Sequence, residues 1–128
     1  QFAKSAMAGQ DIVLHTDGSS SGNYCYTADA IKGILLLLLK GENGETYNIS
    51  NEETNMTIRE MAELVAEKIA EGKVSVVTDI PESELMYGYA PKVRMKLSAD
   101  KMRKLGWNPT VGLEQMYQKM IEELTYDK

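Results

Sequence analysis

Tyr24 to Ile49 reads YCYTADAIKGILLLLLKGENGETYNI, and this stretch decides the fold. Ile34 to Leu39 form an unbroken apolar run, which is far shorter than the roughly 20 residues that a bilayer span needs. The pattern predicts instead a helix that begins near Thr27 or Ala28 and is apolar on nearly every side, so that it is buried all round. A glycine-rich turn follows, and Thr46 to Ile49 then predicts a short strand. Such a helix and strand need apolar partners on two sides, and this chain is poorly supplied with them.

The length and composition place limits on the function. A chain of 128 residues with 43% apolar residues is expected to form one globular domain, residues 1–128. The net charge of −5 argues against nucleic acid or an anionic membrane as the main partner, because both require clustered cations. The single cysteine forms no internal disulfide, and no secretory signal pattern is visible, so we expect a cytoplasmic protein. The absence of an initial methionine predicts that the chain is an excised piece of a longer protein.

The first half of the chain alternates predicted strands, loops and helices. The expected elements are a helix over Phe2 to Ala8 closed by Gly9, a strand over Asp11 to Leu14, a polar loop over Thr16 to Asn23, a strand over Tyr24 to Tyr26, and a polar link over Asn51 to Asn55. Thr57 and Glu60 form a capping-box pattern that predicts the start of another helix, which Gly72 ends.

The second half of the chain continues this alternation. A strand is predicted over Val74 to Val77, an irregular loop over Pro81 to Pro91, a short helix capped by Ser98 and stopped by Gly106, and a last helix whose apolar face runs from Leu113 to Leu124. Short strands among helices indicate an α/β or α+β domain.

One cluster of charges stands out in this acidic chain. Lys92, Arg94 and Lys96 alternate with Val93, Met95 and Leu97, so an extended segment would carry the cations on one face and the apolar side chains on the other. Such a strip is suited to an anionic ligand, and arginine is the residue best shaped to grip a phosphate. The alternative is a solvated edge strand protected by lysines.

The other candidate residues favour ordinary structural roles. His15 is the only histidine, which excludes a multi-histidine metal site and predicts a surface or turn residue. Cys25 reads as a half-buried small side chain, because no pattern supplies the base and oxyanion site that a nucleophile needs. The Gly- and Ser-containing loop from Asp17 to Asn23 runs from strand to strand, so a connecting turn is favoured over a phosphate cradle.

Together these stretches resemble the C-terminal part of the extended short-chain dehydrogenase/reductases, the NAD-dependent epimerase/dehydratase family that acts on nucleotide sugars. The matching pieces, in the family's order, are Phe2 to Gly9, Ile12 to Leu14, Asp17-Gly18, Tyr24-x-Tyr26 with Asp29, the apolar helix, Gly44 to Ile49, Thr57-Ile58-x-Glu60 and Leu105 to Pro109. The resemblance implies an α/β (α+β-like) substrate-binding region, with helices and a few short strands, that lacks the family's Rossmann core.

The resemblance also implies roles for particular residues. Arg94 matches an arginine that family members place on the nucleotide or diphosphate of the substrate, and Lys92 and Lys96 flank it. Gly22 stands where the family usually has a second arginine, which removes a phosphate contact. Ser98 replaces a common aspartate, and both residues cap helices well. Asp29 matches an acidic position whose main expected role is to favour the positive end of the helix dipole.

Two family motifs are missing from this chain. It contains neither the GxxGxxG run that binds the NAD pyrophosphate nor a Tyr-x-x-x-Lys pair. The resemblance implies that both lie upstream of Gln1 in an N-terminal Rossmann domain, so this chain alone is expected to bind no NAD and to be inactive. The apolar helix would lie against that domain, and without it we expect self-association into a homo-oligomer through Ile31 to Leu39 or Thr46 to Ile49.

Three functions remain open at this point. The first is the substrate-binding part of an enzyme that uses NAD to oxidise a nucleotide-sugar hydroxyl transiently, for epimerisation, dehydration or decarboxylation. The second is a non-catalytic scaffold that binds a nucleotide or a protein. The third is an independent interaction module.

Overall fold

Helices and short strands alternate along the chain, as the sequence predicted. The computed structural model describes residues 1–82 and 91–126, so most of the predicted loop between Pro81 and Pro91 lies outside the described residues. The helices within those ranges are α1 (Phe2–Met7), α2 (Thr27–Lys40), α3 (Ile58–Leu64) with a π-helical turn (Val65–Ile69) directly after it, α4 (Asp100–Lys104) and α5 (Leu113–Tyr126). The strands are β1 (Ile12–Leu14), β2 (Ser21–Tyr24), β3 (Asn51–Thr57) and β4 (Val76–Thr78).

The described strands pair in two separate two-stranded sheets. β1 and β4 are parallel, with Ile12 opposite Val76 and Leu14 opposite Thr78. β2 and β3 are antiparallel, with Gly22 opposite Met56, and the register shifts between Gly22 and Tyr24. Asn23 lies at this shift.

The main apolar core lies between the parallel strands β1 and β4 and the helical segment formed by α3 and the π-helical turn. Ile12 and Val65 are almost completely buried there, and Phe2 from α1 and Tyr117 from α5 pack around them. Burial of these side chains explains why α1, the π-helical turn and α5 gather on one side of β1.

The capping box at the start of α3 is confirmed. The Glu60 amide donates to Thr57 Oγ1 at 3.1 Å, and the Thr57 amide donates to Glu60 Oε2 at 2.7 Å. The backbone hydrogen bond from Thr57, followed by the one from its hydroxyl, lowers the pKa of Glu60. Gly72 follows the π-helical turn with φ +72°, a left-handed conformation that suits glycine and ends the helical segment as expected.

The prediction of a strand over Thr46 to Ile49 is wrong for the described chain. No described strand pairs with this segment, and a strand requires a backbone partner. Its side chains are nevertheless used, because Tyr47 and Ile49 pack against the cluster around Trp107.

A strand lies instead where a polar link was expected, over Asn51–Thr57. Its inward polar groups are satisfied by hydrogen bonds: Thr54 is 1% exposed, and its Oγ1 accepts from the Tyr24 amide at 2.7 Å. The predicted strand over Tyr24 to Tyr26 is also misplaced, because β2 ends at Tyr24 and Tyr26 is already the residue that precedes α2.

The short helix α4 begins one residue later than predicted, so Ser98 is not its N-cap. Ala99 occupies the N-cap position, and the Ser98 hydroxyl lies one residue earlier, where it accepts from the Asp100 amide at 3.2 Å. Gly106 follows the helix with φ +96°, which confirms it as the stop.

Helix α2 begins at Thr27, as predicted, but it is not buried all round. Leu36 and Leu37 pack against a second core cluster built on Ala99, Met102 and Trp107. The opposite side of the helix is exposed, and we call it the apolar face of α2: Ile31, Ile34, Leu35, Leu38 and Leu39. Leu38 is 78% exposed and Leu39 is 83% exposed, so this chain's own described residues do not cover that face. None of the described helices is long and apolar enough to cross a membrane.

This division of α2 leads to a direct stability test. Replacing Leu36 by Ser should lower the free energy of unfolding by about 2 kcal/mol, because it removes apolar packing against the second cluster. Leu39→Ser is the matched control, because Leu39 is exposed. Apart from the loss of helix propensity that both variants share, it should change the free energy of unfolding by less than about 0.5 kcal/mol. Urea unfolding at low protein concentration measures both. Equal destabilisation by the two variants would contradict the observed packing of α2.

Candidate functional site

The predicted cation strip, which we define as Lys92, Arg94 and Lys96, lies beside β2. Arg94 forms a parallel bridge with Ser21, whose amide donates to the Val93 carbonyl at 2.8 Å. The Met95 amide in turn donates to the Ser21 carbonyl at 3.0 Å. The segment therefore runs alongside β2, with the backbone groups of Val93 and Met95 directed at that strand.

Both faces of this segment are open to solvent. The three cations are exposed, and so are the apolar side chains that alternate with them, Val93, Met95 and Leu97. The apolar side chains thus contribute little burial, and hydrogen bonds to β2 and β3 hold the segment in place.

Two asparagines supply hydrogen bonds beyond the bridge. The Leu97 amide donates to Asn23 Oδ1 at 3.2 Å, and Asn23 Nδ2 donates to the Leu97 carbonyl at 3.2 Å. Asn55 Nδ2 donates to Asn23 Oδ1 at 2.9 Å and to the Met95 carbonyl at 2.8 Å. These contacts tie the segment to both strands of the antiparallel sheet.

The cations of the strip differ in their partners. Lys92 forms an ion pair with Asp17, and the hydrogen bond from Lys92, followed by those from Ser19, holds the pKa of Asp17 far below its usual value. Among residues 1–82 and 91–126, no acidic side chain forms an ion pair with Arg94 or Lys96. Within the described part of the chain, the charge of these two side chains is directed to solvent.

A cavity of about 440 Å³ lies next to the strip. Its wall is largely apolar, and the residues lining it are Gln1, Phe2, Val13, Leu14, His15, Thr16, Ser20, Ile58, Pro91 and Val93. The cavity opens where β1 ends, and the carboxyl ends of parallel strands are the usual place for ligands in α/β folds. Its size and apolar lining suit a flat organic group rather than a simple ion.

His15 lies in a bend and its side chain is 41% exposed, as predicted for a surface or turn residue. It follows β1 directly, lines the cavity, and its Nδ1 lies 3.0 Å from the Asp79 carbonyl oxygen. The available signal was its position immediately after a strand that proves to be parallel to another.

Asp29 has a structural role that differs from the one expected. It is 1% exposed, and its carboxylate accepts hydrogen bonds from the Thr110 amide at 2.8 Å, the Thr110 hydroxyl at 2.8 Å and the Val111 amide at 3.0 Å. The Trp107 indole N–H also donates to the Asp29 carbonyl oxygen at 2.9 Å. Asp29 therefore ties the start of α2 to the turn before α5, which is more than an interaction with the helix dipole.

The charge of Asp29 is maintained by these hydrogen bonds. Burial alone would raise the pKa of the carboxyl group, but the donors from Thr110 and Val111 outweigh it, and the pKa is lowered from its ordinary value of 3.8. A buried carboxylate with several N–H and O–H donors is stable in its ionised form.

Neither Cys25 nor a cluster of metal-binding side chains forms a reactive site among the described residues. Burial, with a smaller contribution from the charge of Asp29, raises the pKa of the Cys25 thiol. The thiol is thus less easily ionised, whereas a nucleophilic cysteine has a lowered pKa. Within residues 1–82 and 91–126, no group of three His, Cys, Asp or Glu side chains is placed to hold a metal ion.

Known proteins are similar to this chain in both sequence and fold. No family model matches it. The chain is 31% identical over 116 residues to the dTDP-D-glucose 4,6-dehydratase of Mus musculus, covering 85% of this chain and 30% of that protein. Its fold matches that of a UDP-glucose 4-epimerase from Thermotoga maritima, solved with UDP-glucose, with a TM-score of 0.78, 24% identity and coverage of 98% of this chain and 38% of that one.

A third comparison agrees with these two. The structure of a dTDP-glucose 4,6-dehydratase from Streptomyces venezuelae, solved with NAD, is 26% identical, has a TM-score of 0.70, and is matched over 98% of this chain and 38% of its own length. The chain belongs to the extended short-chain dehydrogenase/reductase family. It spans about 30% of the length of the curated relative from mouse.

Gly22, where the family resemblance led us to expect an arginine, lies in open space. Gly22 lies in β2 next to Ser21, the residue that bridges to Arg94, and a Cβ at Gly22 would meet no heavy atom within 4 Å. The fold thus leaves room for a side chain at this position.

The buried Asp29 generates a pH-dependent stability. Because its folded pKa is lowered, its contribution is fully present above the ordinary value of 3.8 and is lost as the pH falls through the folded pKa. Asp29→Ala should lower the free energy of unfolding at pH 7 by about 2 kcal/mol, because it removes the buried carboxylate that accepts from Thr110 and Val111.

Urea unfolding of both proteins from pH 7 to pH 2.5 measures this effect. The gap between Asp29→Ala and the unsubstituted chain should narrow below pH 3.8. Asp100→Ala is the control, since Asp100 is exposed and should leave the two curves close together at pH 7. A gap that stays constant down to pH 2.5 would show that the carboxylate charge is irrelevant.

Proposed function

We propose that this chain forms the C-terminal, substrate-binding part of an NAD-dependent nucleotide-sugar epimerase or dehydratase. The observation that carries the proposal is the pair Arg94 and Lys96, which have no acidic partner among the described residues and lie exposed together on a segment that runs beside β2. A nucleoside diphosphate offers the anionic groups that such a strip would select. Its phosphates suit the planar guanidinium of Arg94, with the charge of Lys96 on the same face.

NAD would be bound outside this chain. The sequence has neither a GxxGxxG run nor a Tyr-x-x-x-Lys pair, so its residues do not fit the pyrophosphate or a catalytic tyrosine–lysine pair. In the proposed enzyme, an N-terminal Rossmann domain supplies NAD, which takes up and returns the hydride of a sugar hydroxyl. The role of the present chain is to bind and orient the nucleotide diphosphate, and alone it is inactive.

The apolar face of α2 supports the existence of such a second domain. Burying a large apolar side chain is worth roughly 1.5–3 kcal/mol, so leaving this face in water is costly. The segment from Thr46 to Ile49, which pairs with no described strand, lies close to α2. The Ile49 side chain is so near Gly33 that a Cβ atom added there would lie 3.2 Å from Ile49 Cδ1. A helix face and an unpaired strand-like segment together are suited to cover the edge of a sheet.

A non-catalytic scaffold is the second candidate, and Gly22 is the observation that favours it. A site that has lost one of two phosphate-binding arginines binds the diphosphate less tightly. Such a protein would keep the fold and the apolar face of α2 for contact with a partner while no longer turning over a sugar nucleotide.

A nucleotide titration tests the leading proposal. UDP, dTDP, GDP and CDP are added to the isotopically labelled chain, and NMR shifts are followed at Ser21, Arg94 and Val93. At least one nucleotide should shift these signals, and Arg94→Ala should weaken its binding roughly ten- to a hundredfold, because a charged hydrogen bond to phosphate is lost. Lys40→Ala removes a cation from the end of α2 and is the control for net charge. If no diphosphate shifts the signals around Arg94, the substrate-binding role is wrong and the scaffold is favoured.

Sedimentation tests the proposed covering of α2. The chain alone should self-associate at high concentration, and Leu35→Glu with Leu38→Glu should make it monomeric by placing charges on the apolar face of α2. Lys40→Glu changes the charge of the same helix on the side opposite that face and should leave association unchanged. A compact monomer at high concentration without any substitution would count against an uncovered interface.

A further inference from the structure

The contact between β2 and the segment that carries the cations changes character at Asn23. Ser21 contacts the segment through its backbone, as the bridge to Arg94 shows. The register of β2 shifts between Gly22 and Tyr24, and from there the carboxamide of Asn23 continues the contact. It pairs with both the amide and the carbonyl of Leu97, each at 3.2 Å, in the way that a strand backbone would.

Asn55 fixes the orientation of that carboxamide. Its Nδ2 donates to Asn23 Oδ1 at 2.9 Å, so this end of the Asn23 side chain is the oxygen that also accepts from Leu97. The other end, Nδ2, has only carbonyl oxygens around it, those of Leu97 at 3.2 Å and Asn51 at 3.4 Å. Every polar contact of the side chain thus agrees with one orientation, and that orientation requires an amide.

We infer that Asn23 and Asn55 are positioning residues for the proposed phosphate-binding strip, because they fix the backbone of Met95 and Leu97 to the sheet and so keep Arg94 and Lys96 on one face of the segment. The inference rests on the proposed function and deepens it by assigning residues that touch no ligand. The hydrogen bonds of Val93, Met95 and Leu97 all point toward β2 and β3. Because side chains of an extended segment alternate between its two faces, the side chains of residues 94 and 96 share the face opposite Val93 and Met95.

The inference predicts how two substitutions should affect binding. Asn55→Ala removes the donor that orients Asn23 and the bond to the Met95 carbonyl. Asn23→Asp keeps the shape and the acceptor but places a carboxylate against the carbonyl oxygens of Leu97 and Asn51. In the full chain, each should weaken UDP binding about five- to tenfold and should speed hydrogen exchange at the Leu97 amide about tenfold or more.

Asn48→Ala is the matched control. Asn48 Nδ2 donates to the Ser98 carbonyl at 3.2 Å, so this variant also loses an amide hydrogen bond to the same stretch of chain, but beyond the cations. It should lower the melting temperature about as much as Asn55→Ala while leaving the UDP dissociation constant within about twofold. Asn55→Gln should recover part of the lost affinity, since it restores an amide donor.

The outcomes separate this inference from the proposed function. If UDP binds with a dependence on Arg94 but binds Asn55→Ala and Asn23→Asp equally well, the positioning role is wrong and the proposed function stands. If Asn48→Ala weakens binding as much as Asn55→Ala, the effect is general destabilisation and the inference is overturned. If UDP, dTDP, GDP and CDP all fail to bind the unsubstituted chain, both the function and the positioning role are wrong.

Discussion

The buried carboxylate of Asp29 is the interaction on which the arrangement of the C-terminal half depends. The carboxylate accepts from the backbone amides of Thr110 and Val111 and from the Thr110 hydroxyl. The indole N–H of Trp107 donates to the backbone carbonyl oxygen of the same residue, Asp29. Helix α2 and the turn before α5 are therefore joined by polar contacts that fix their geometry, whereas apolar packing alone allows sliding. Trp107 belongs to the second core cluster, against which Tyr47 and Ile49 pack.

Local patterns in the sequence predicted the helices well. The capping box at Thr57 and Glu60 and the helix stops at Gly72 and Gly106 involve residues a few positions apart, so the sequence contains the whole interaction. Strand pairing is different, because it depends on distant partners. Thr46 to Ile49 has a strand-like composition but no described partner, while the polar stretch of β3 pairs with β2 because Thr54 and Asn51 satisfy their buried groups through hydrogen bonds.

The candidate site was predictable in composition and only partly in geometry. Alternation alone identified Lys92, Arg94 and Lys96 as a strip, and Arg94 does lie along β2. The ion pair that engages Lys92 joins residues far apart in the chain, and so does the network of Asn23 and Asn55. His15 was predicted to be a surface or turn residue and does lie in a bend, and its place after a parallel strand also puts it in the wall of the cavity.

Trp107 gives the protein an internal optical probe. It is the only tryptophan in the chain, it is 4% exposed, and its N–H is bonded to the first turn of α2. Indole emission is sensitive to water and to the hydrogen bond at its nitrogen, so the fluorescence of one residue reports whether α2 is seated on the turn. Movement of the helix that presents its leucines to a neighbouring surface would thus be visible without any added label.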